Sequence, residues 1–224
     1  IPALTVRGSG AVAAASSTVA TVGLPGGKAI GVNVNTGQLA WEVNLAQVRG
    51  VNEVERIADV LPNWVSVPGL GLCATNYRQR AACVDDRGQV TQTQEMQAYS
   101  GLVVSGVQWA AIEEDGSVKA WTVKPASNAA VTNPSSNTSA DWTFEGLKGR
   151  TSNSYAAIAA AGAALFVHDN LGYLHTVSLQ SGKTIARTTT GVSSDAHLLP
   201  IEVNGKTLMI VAGGSSLQAW QLAP

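Results

Sequence analysis

The sequence is short of charge. Only 13% of its 224 residues are Asp, Glu, Lys or Arg, and 14 basic residues nearly cancel 15 acidic ones. No field strong enough to collect a phosphate backbone or an anionic lipid surface is expected, so nucleic acid is not expected as a partner. Apolar runs are also short: none approaches the roughly 20 residues that cross a bilayer as a helix. Ile1 leads straight into a strand-like segment with no basic leader region, so any targeting signal is expected upstream and the chain is expected to be the later part of a longer one.

Catalytic and metal signatures are scarce too. His168, His175 and His197 stand apart, which gives no metal-ligand spacing. There is no Gly-x-Ser-x-Gly elbow to expose a nucleophile and no complete Gly-x-x-x-x-Gly-Lys-Ser/Thr loop to cradle a phosphate. Glu113-Glu114-Asp115-Gly116 lacks the alternating oxygen ligands of a calcium loop and reads as a solvated turn. No enzyme activity and no cofactor are expected.

What the chain does have is 45% hydrophobic content, ample for a packed core, laid out in short bursts broken by 23 glycines. A repeat runs through it: a short apolar strand, a polar turn, and a strand rich in Ala, Val or Trp. Gly31, Ala82, Ala120, Thr176 and Ala219 serve as equivalent anchors, about 47 residues apart on average. That period fits an all-β fold, a β-propeller of four-stranded antiparallel blades, with four to five blades in this chain. The repeats fall near 1–49, 60–99, 100–145, 151–190 and 197–224. A charged inter-blade connection at 50–59 has apolar residues at helical spacing, and a Ser/Asn/Thr/Ala-rich surface loop spans 126–140.

The turns repeat as well. Asn35-Thr36-Gly37-Gln38 and Ser181-Gly182-Lys183 occupy the same place in two copies, and Trp41 and Trp142 begin the strands that fill the space between neighbouring blades. Cys73 and Cys83 flank one hairpin. If its turn centres on Arg78 the two face each other and a disulfide is open to them; if Arg78-Gln79 form a two-residue loop, Cys73 faces Val84 and the thiols point apart.

Three stretches carry a resemblance: Ala3-Leu4-Thr5-Val6-Arg7-Gly8, Glu53-Val54-Glu55-Arg56-Ile57-Ala58-Asp59-Val60, and Leu171-Gly172-Tyr173-Leu174-His175 followed by Ser181-Gly182. In order and spacing they resemble the BamB family. The resemblance implies the later half of an eight-bladed ring at the periplasmic face of the bacterial outer membrane, held there by an N-terminal lipid outside this chain. It also implies a scaffold that binds the periplasmic POTRA domains of BamA and assists outer-membrane protein insertion, with unfolded outer-membrane proteins as further partners. Carried over by position, partner contact falls to Leu4, Val6 and Arg7 in the first stretch and to Asp59 in the second, with Glu53, Glu55 and Arg56 beside it. Leu61 stands where the family often has a second acid, which makes that contact more apolar.

Two other readings compete, a pyrroloquinoline-quinone-type dehydrogenase propeller and a propeller that binds extended peptides along a strand edge. Half a ring would also leave blade faces open, so the chain is expected to self-associate.

Overall fold

The computed structural model describes residues 11–46, 57–123, 139–146, 155–192 and 195–221. Among the described residues nineteen strands form five antiparallel sheets, each built from strands consecutive in the chain. Sheet one comprises β1 (Val12–Ala14), β2 (Val19–Leu24), β3 (Lys28–Asn33) and β4 (Leu39–Asn44). Sheet two comprises β5 (Val65–Val67), β6 (Gly71–Asn76), β7 (Arg80–Val84) and β8 (Val90–Glu95). Sheet three comprises β9 (Val103–Ser105), β10 (Gln108–Ile112), β11 (Val118–Thr122) and β12 (Trp142–Phe144).

Sheet four comprises β13 (Tyr155–Ala161), β14 (Ala164–Asp169), β15 (Tyr173–Ser178) and β16 (Thr184–Thr189). Sheet five has three strands among the described residues: β17 (His197–Val203), β18 (Lys206–Gly213) and β19 (Ser216–Gln221). Each sheet lies inside one of the five sequence repeats.

Hairpins follow from local chemistry. Val203 faces Lys206 across Asn204-Gly205, and both loop residues have positive φ, the turn that matches strand twist and that Asn-Gly supplies at low cost.

Sheets one and two belong to one compact unit and sheets three to five to a second. In the first, Ala29, Leu45, Val60, Ala74, Ala82 and Val84 form a buried cluster with Trp41, Val43, Trp64 and Val90 packed against it. In the second, one cluster joins Val103, Ile112, Val118 and Phe144 of sheet three to Tyr155, Leu165, Val167 and Val177 of sheet four. Another joins Ala159, Phe166 and Leu174 of sheet four to Met209 and Val211 of sheet five. Strand alternation explains this: on β14 Leu165 and Val167 join the cluster with sheet three while Phe166 between them joins the cluster with sheet five, so both faces of sheet four are apolar.

The anchors fall on β3, β7, β11, β15 and β19, the third strand of each sheet. In three sheets the fourth strand carries an irregularity at the same place. Pairing jumps from Gly31–Trp41 to Val32–Leu39, from Cys83–Gln92 to Val84–Val90, and from Thr176–Ala186 to Val177–Thr184. Cys83, one residue beyond the expected anchor Ala82, is therefore the equivalent of Gly31 and Thr176. A bulge on an outer strand bends it and spoils the flat edge on which another strand could pair, which counts against a peptide bound along that edge.

The hairpin β6–β7 settles its own register. Asn76 pairs with Arg80 around a three-residue turn, Arg78 takes φ +56°, and Cys73 faces Cys83. The two sulfurs are joined in a disulfide, and both residues are fully buried.

Candidate partner-binding region

The connection between sheets one and two is held at both ends by one residue. Leu24 leads into a 3-10 turn, Pro25–Gly27, where Pro25 presets φ and Gly27 adopts φ +73°. The Gly27 carbonyl accepts the amides of Leu45 at 2.7 Å and Ala46 at 3.1 Å, so the chain leaves sheet one beside it. It returns at the same point: a Cβ on Gly27 would overlap the Ala46 methyl and lie 2.9 Å from the Ala58 carbonyl. Leu45 and Ala46, and then Ala58, thus meet at Gly27; residues 47–56 between them lie outside the described residues. Arg80 adds a clamp, donating from Nε to the Leu45 carbonyl at 2.6 Å.

The returning segment is packed, not solvated. Ile57, Ala58, Val60 and Leu61 are buried, and Ile57 and Leu61 cluster with Tyr77. Backbone bonds knit it to sheet two, Leu61 N–H to the Thr75 carbonyl and Tyr77 N–H to the Asp59 carbonyl, both at 2.9 Å. Residues 57–59 form no helix, and residues 50–56, the rest of the stretch with apolar residues at helical spacing, lie outside the described residues.

Asp59 is 2% exposed, and its Oδ1 accepts the Gly26 amide at 3.1 Å. The carboxylate expected at a partner contact also holds the turn on which both flanks of the connection rest. Leu61 is 1% exposed, so it adds no apolar surface for a partner. Both turn inward because the apolar positions flanking Asp59 are taken up by the core. Leu4, Val6, Arg7, Glu53, Glu55 and Arg56 lie outside the described residues, as does most of the 126–140 loop. Gly26-Gly27 lies in the loop of the β2–β3 hairpin, closed by the Leu24–Lys28 pair, and the same loop seats both flanks of the connection.

Sheet four holds a buried polar network that sequence reading missed. His175 Nε2 and Asp169 Oδ2 are 2.9 Å apart, and Asp169 Oδ1 accepts the amides of Leu171 and Tyr173. His168 Nε2 meets the Thr190 hydroxyl at 2.8 Å, and that hydroxyl donates to the Gly172 carbonyl. His175 packs edge-on to Phe144 and Tyr155, and the Arg187 guanidinium stacks on Tyr173.

Burial holds His168 below its ordinary pKa, with the charge of Asp169 opposing and His175 adding to the effect. Burial also pushes the Tyr155 phenol up to about 12, reinforced by Asp169 and opposed by Arg187. An Asp–His pair can move protons only where a substrate reaches it, and both members are sealed. Its visible work is to tie the 169–172 turn to β15. The signal in the sequence was Asp169-Asn170-Leu171-Gly172, an Asx turn next to two histidines.

The acidic turn at 113–116 is braced. Lys119 Nζ lies 2.9 Å from both Glu113 and Asp115, whose carboxyl also accepts the Ser117 hydroxyl. Partial burial alone would raise the Asp115 pKa, but the Ser117 and Lys119 contacts prevail and lower it. Among the described residues no group of three or more His, Cys, Asp or Glu could hold a metal ion.

Comparison with known proteins gives these elements a family. The family model described as outer membrane protein assembly factor BamB matches residues 1–132, more than half of the chain. The BamB of Bordetella pertussis is 28% identical over 218 residues, 96% of this chain and 52% of the relative. The BamB of Escherichia coli K12 is 27% identical over 216 residues, 96% of this chain and 50% of the relative. The chain thus spans about half the length of the curated relatives it matches. The crystal structure of BamB from Moraxella catarrhalis aligns with a TM-score of 0.73 at 19% identity, covering 99% of this chain and 61% of that one. The fold is accordingly a β-propeller fold and each sheet a blade. The arrangement of repeats expected from sequence, the four-stranded blades and the match across residues 1–132 together place this chain in the BamB family of outer membrane protein assembly factors.

Proposed function

We propose that this chain is part of a non-enzymatic scaffold for outer-membrane protein assembly, acting at the periplasmic face of the outer membrane. Its partner is the POTRA region of BamA, and the assembly assists insertion of outer-membrane proteins. Family membership supports the process. One observation supports the reading: the described residues on either side of 47–56, Leu45 and Ala46 before it and Ala58 after it, meet at Gly27. A segment whose ends are fixed by a rigid scaffold loses less entropy on binding, which is how scaffold loops become recognition elements.

Within this reading Arg7, with Leu4 and Val6, contributes a second contact in which a guanidinium fork is flanked by aliphatic side chains. Asp59 holds the flanks of the connection in place through Gly26 and, beside Glu53, Glu55 and Arg56, belongs to the proposed contact. The test is titration of the chain against purified POTRA domains. Arg7→Ala and Glu53→Ala/Glu55→Ala should weaken binding while leaving the denaturation midpoint unchanged; unchanged affinity in all of them would defeat the placement.

Self-association is part of the same proposal. On blade five Leu199, Ile210 and Ala219 align across three strands and, with Leu217, form an outward apolar face of the kind that packs between blades elsewhere in the chain. A second copy is the proposed cover. A concentration-independent monomer mass by sedimentation would overturn it.

A further inference from the structure

On the face of sheet four that meets sheet three, the side chains change character along the blade. Leu165, Val167 and Val177 fill its middle. By strand alternation the end near the 169–172 turn carries Tyr155, Asp169, Tyr173, His175 and Arg187.

Some of these polar groups answer one another. Asp169 is taken up by His175 and by the amides of Leu171 and Tyr173. Three donors are left over among the described residues: Nε and Nη2 of Arg187 are buried without a hydrogen-bond partner, and so is the Tyr155 hydroxyl. Tyr155 is 4% exposed, and Arg187 is half-buried. A buried donor that has lost its water and gained no acceptor is costly, most of all on a cation, so three on one blade face call for an explanation.

Local packing sets how the donors stand. The Arg187 guanidinium lies 3.4 Å from the centroid of the Tyr173 ring. The aromatic ring covers its flat face and leaves the hydrogens in its plane directed sideways. Nε and Nη2 form one edge of that plane, a fork whose spacing matches the two oxygens of a carboxylate. Tyr155 spans the sheet towards it: its ring is 6.1 Å from that of His175, and His175 is the residue paired directly with Arg187. The charge of Arg187 opposes the upward shift of the Tyr155 pKa, which at about 12 leaves the phenol its proton through the neutral range. Glu145, just beyond β12, also acts on Tyr155, but it is exposed and does not bond the fork.

We propose that Arg187 and Tyr155 form a subsite for a single carboxylate, the Arg187 fork donating to its two oxygens and the Tyr155 hydroxyl adding a third hydrogen bond. The donor set selects the ligand. A carboxylate accepts at every position and carries the counter-charge, whereas a water must place two hydrogens of its own and an amide oxygen leaves the guanidinium charge unanswered. The carboxylate belongs to a small organic acid or to an acidic side chain of a bound peptide. The inference does not depend on the assembly role proposed above.

The probes are acetate and the blocked tripeptide acetyl-Gly-Asp-Gly-amide, each titrated into the isotope-labelled chain with ionic strength held constant by sodium chloride. The signal is the Nε–Hε resonance of Arg187, identified by its absence from Arg187→Lys. A saturable shift with acetate is expected; a matching shift with the peptide assigns the ligand to an acidic side chain, and a shift with acetate alone assigns it to a small acid. Tyr155→Phe removes one donor and should weaken binding roughly three- to tenfold. Arg187→Lys keeps the charge without the fork, and the backbone amides of Tyr173 and His175 should then no longer respond saturably. Lys206→Gln, an exposed cation on another blade, should leave binding unaltered. No saturable shift with either probe, an equal response to chloride, or unchanged affinity in both Tyr155→Phe and Arg187→Lys would overturn the assignment.

Discussion

The carboxylate of Asp59 accepts the amide of Gly26 at 3.1 Å, across 33 residues of sequence. This bond fixes the turn that carries Gly27, and Gly27 in turn holds both ends of the blade-to-blade connection. Removing the acceptor leaves a part-buried amide short of a partner, which costs about 1 kcal/mol. Asp59→Ala should lower the urea denaturation midpoint correspondingly, while Asp59→Asn, which keeps an acceptor oxygen, should lose less. Equal stability of wild type and Asp59→Ala would show that the bond carries no weight.

Gly27 tolerates no side chain. Its φ of +73° strains any L-residue, and an added methyl would run into Ala46. Gly27→Ala should cost roughly 2–4 kcal/mol from strain and overpacking together. Gly205 has φ +71° but open space around it, so Gly205→Ala should cost only about 1 kcal/mol. Equal losses in the two variants, measured by chemical denaturation, would remove steric crowding as the cause.

The Cys73–Cys83 disulfide closes a short loop across one hairpin. Its removal should destabilise the fold by about 2–3 kcal/mol through the entropy regained by the unfolded chain. Cys73→Ser/Cys83→Ser, or reduction with dithiothreitol, should therefore lower the denaturation midpoint. Unaltered midpoints under both treatments would contradict this.

Acid should loosen the second unit through His168. Burial depresses its folded-state pKa below 6.5, so the unfolded chain binds more protons in that range. Its stabilising contribution is complete above pH 6.5 and is lost as pH falls from there through the folded value. At the other extreme the Tyr155 phenol, pushed up to about 12 by burial, stays protonated in the fold while the unfolded chain ionises near 10. That contribution is complete below pH 10 and fades as pH rises from 10 towards 12. Denaturation midpoints should fall at both ends, with His168→Gln flattening the acid limb and Tyr155→Phe the alkaline one.

Much of the fold was legible because a propeller repeats its chemistry. Gly31, Ala120, Thr176 and Ala219 mark the third strand of their blades, and the glycine turns at Gly37 and Gly182 share one geometry. Ala82 missed by one residue because the bulge in blade two falls at Cys83, and the extra residues Ala40, Thr91 and Ile185 share no side-chain property that would reveal it. The cysteine register depended on a positive φ at Arg78, a residue type that carries no signal for it.

The candidate site was less legible. Charge around Asp59 was legible, but nothing in the residue types beside it reveals that its carboxylate also accepts a backbone amide 33 residues away. The buried Asp169–His175 pair was hidden for the opposite reason: its members are close in space through strand pairing and only loosely spaced along the chain.

The central proposal is that residues 47–56, whose described neighbours Ala46 and Ala58 meet at Gly27, carry the partner-binding element. The direct measurement replaces 47–56 with a Gly/Ser segment of equal length and compares binding to BamA POTRA domains by biolayer interferometry, with the denaturation midpoint measured in parallel. Binding should be lost or weakened roughly tenfold or more while the midpoint is retained. Full affinity in a replaced chain that remains folded would contradict the claim.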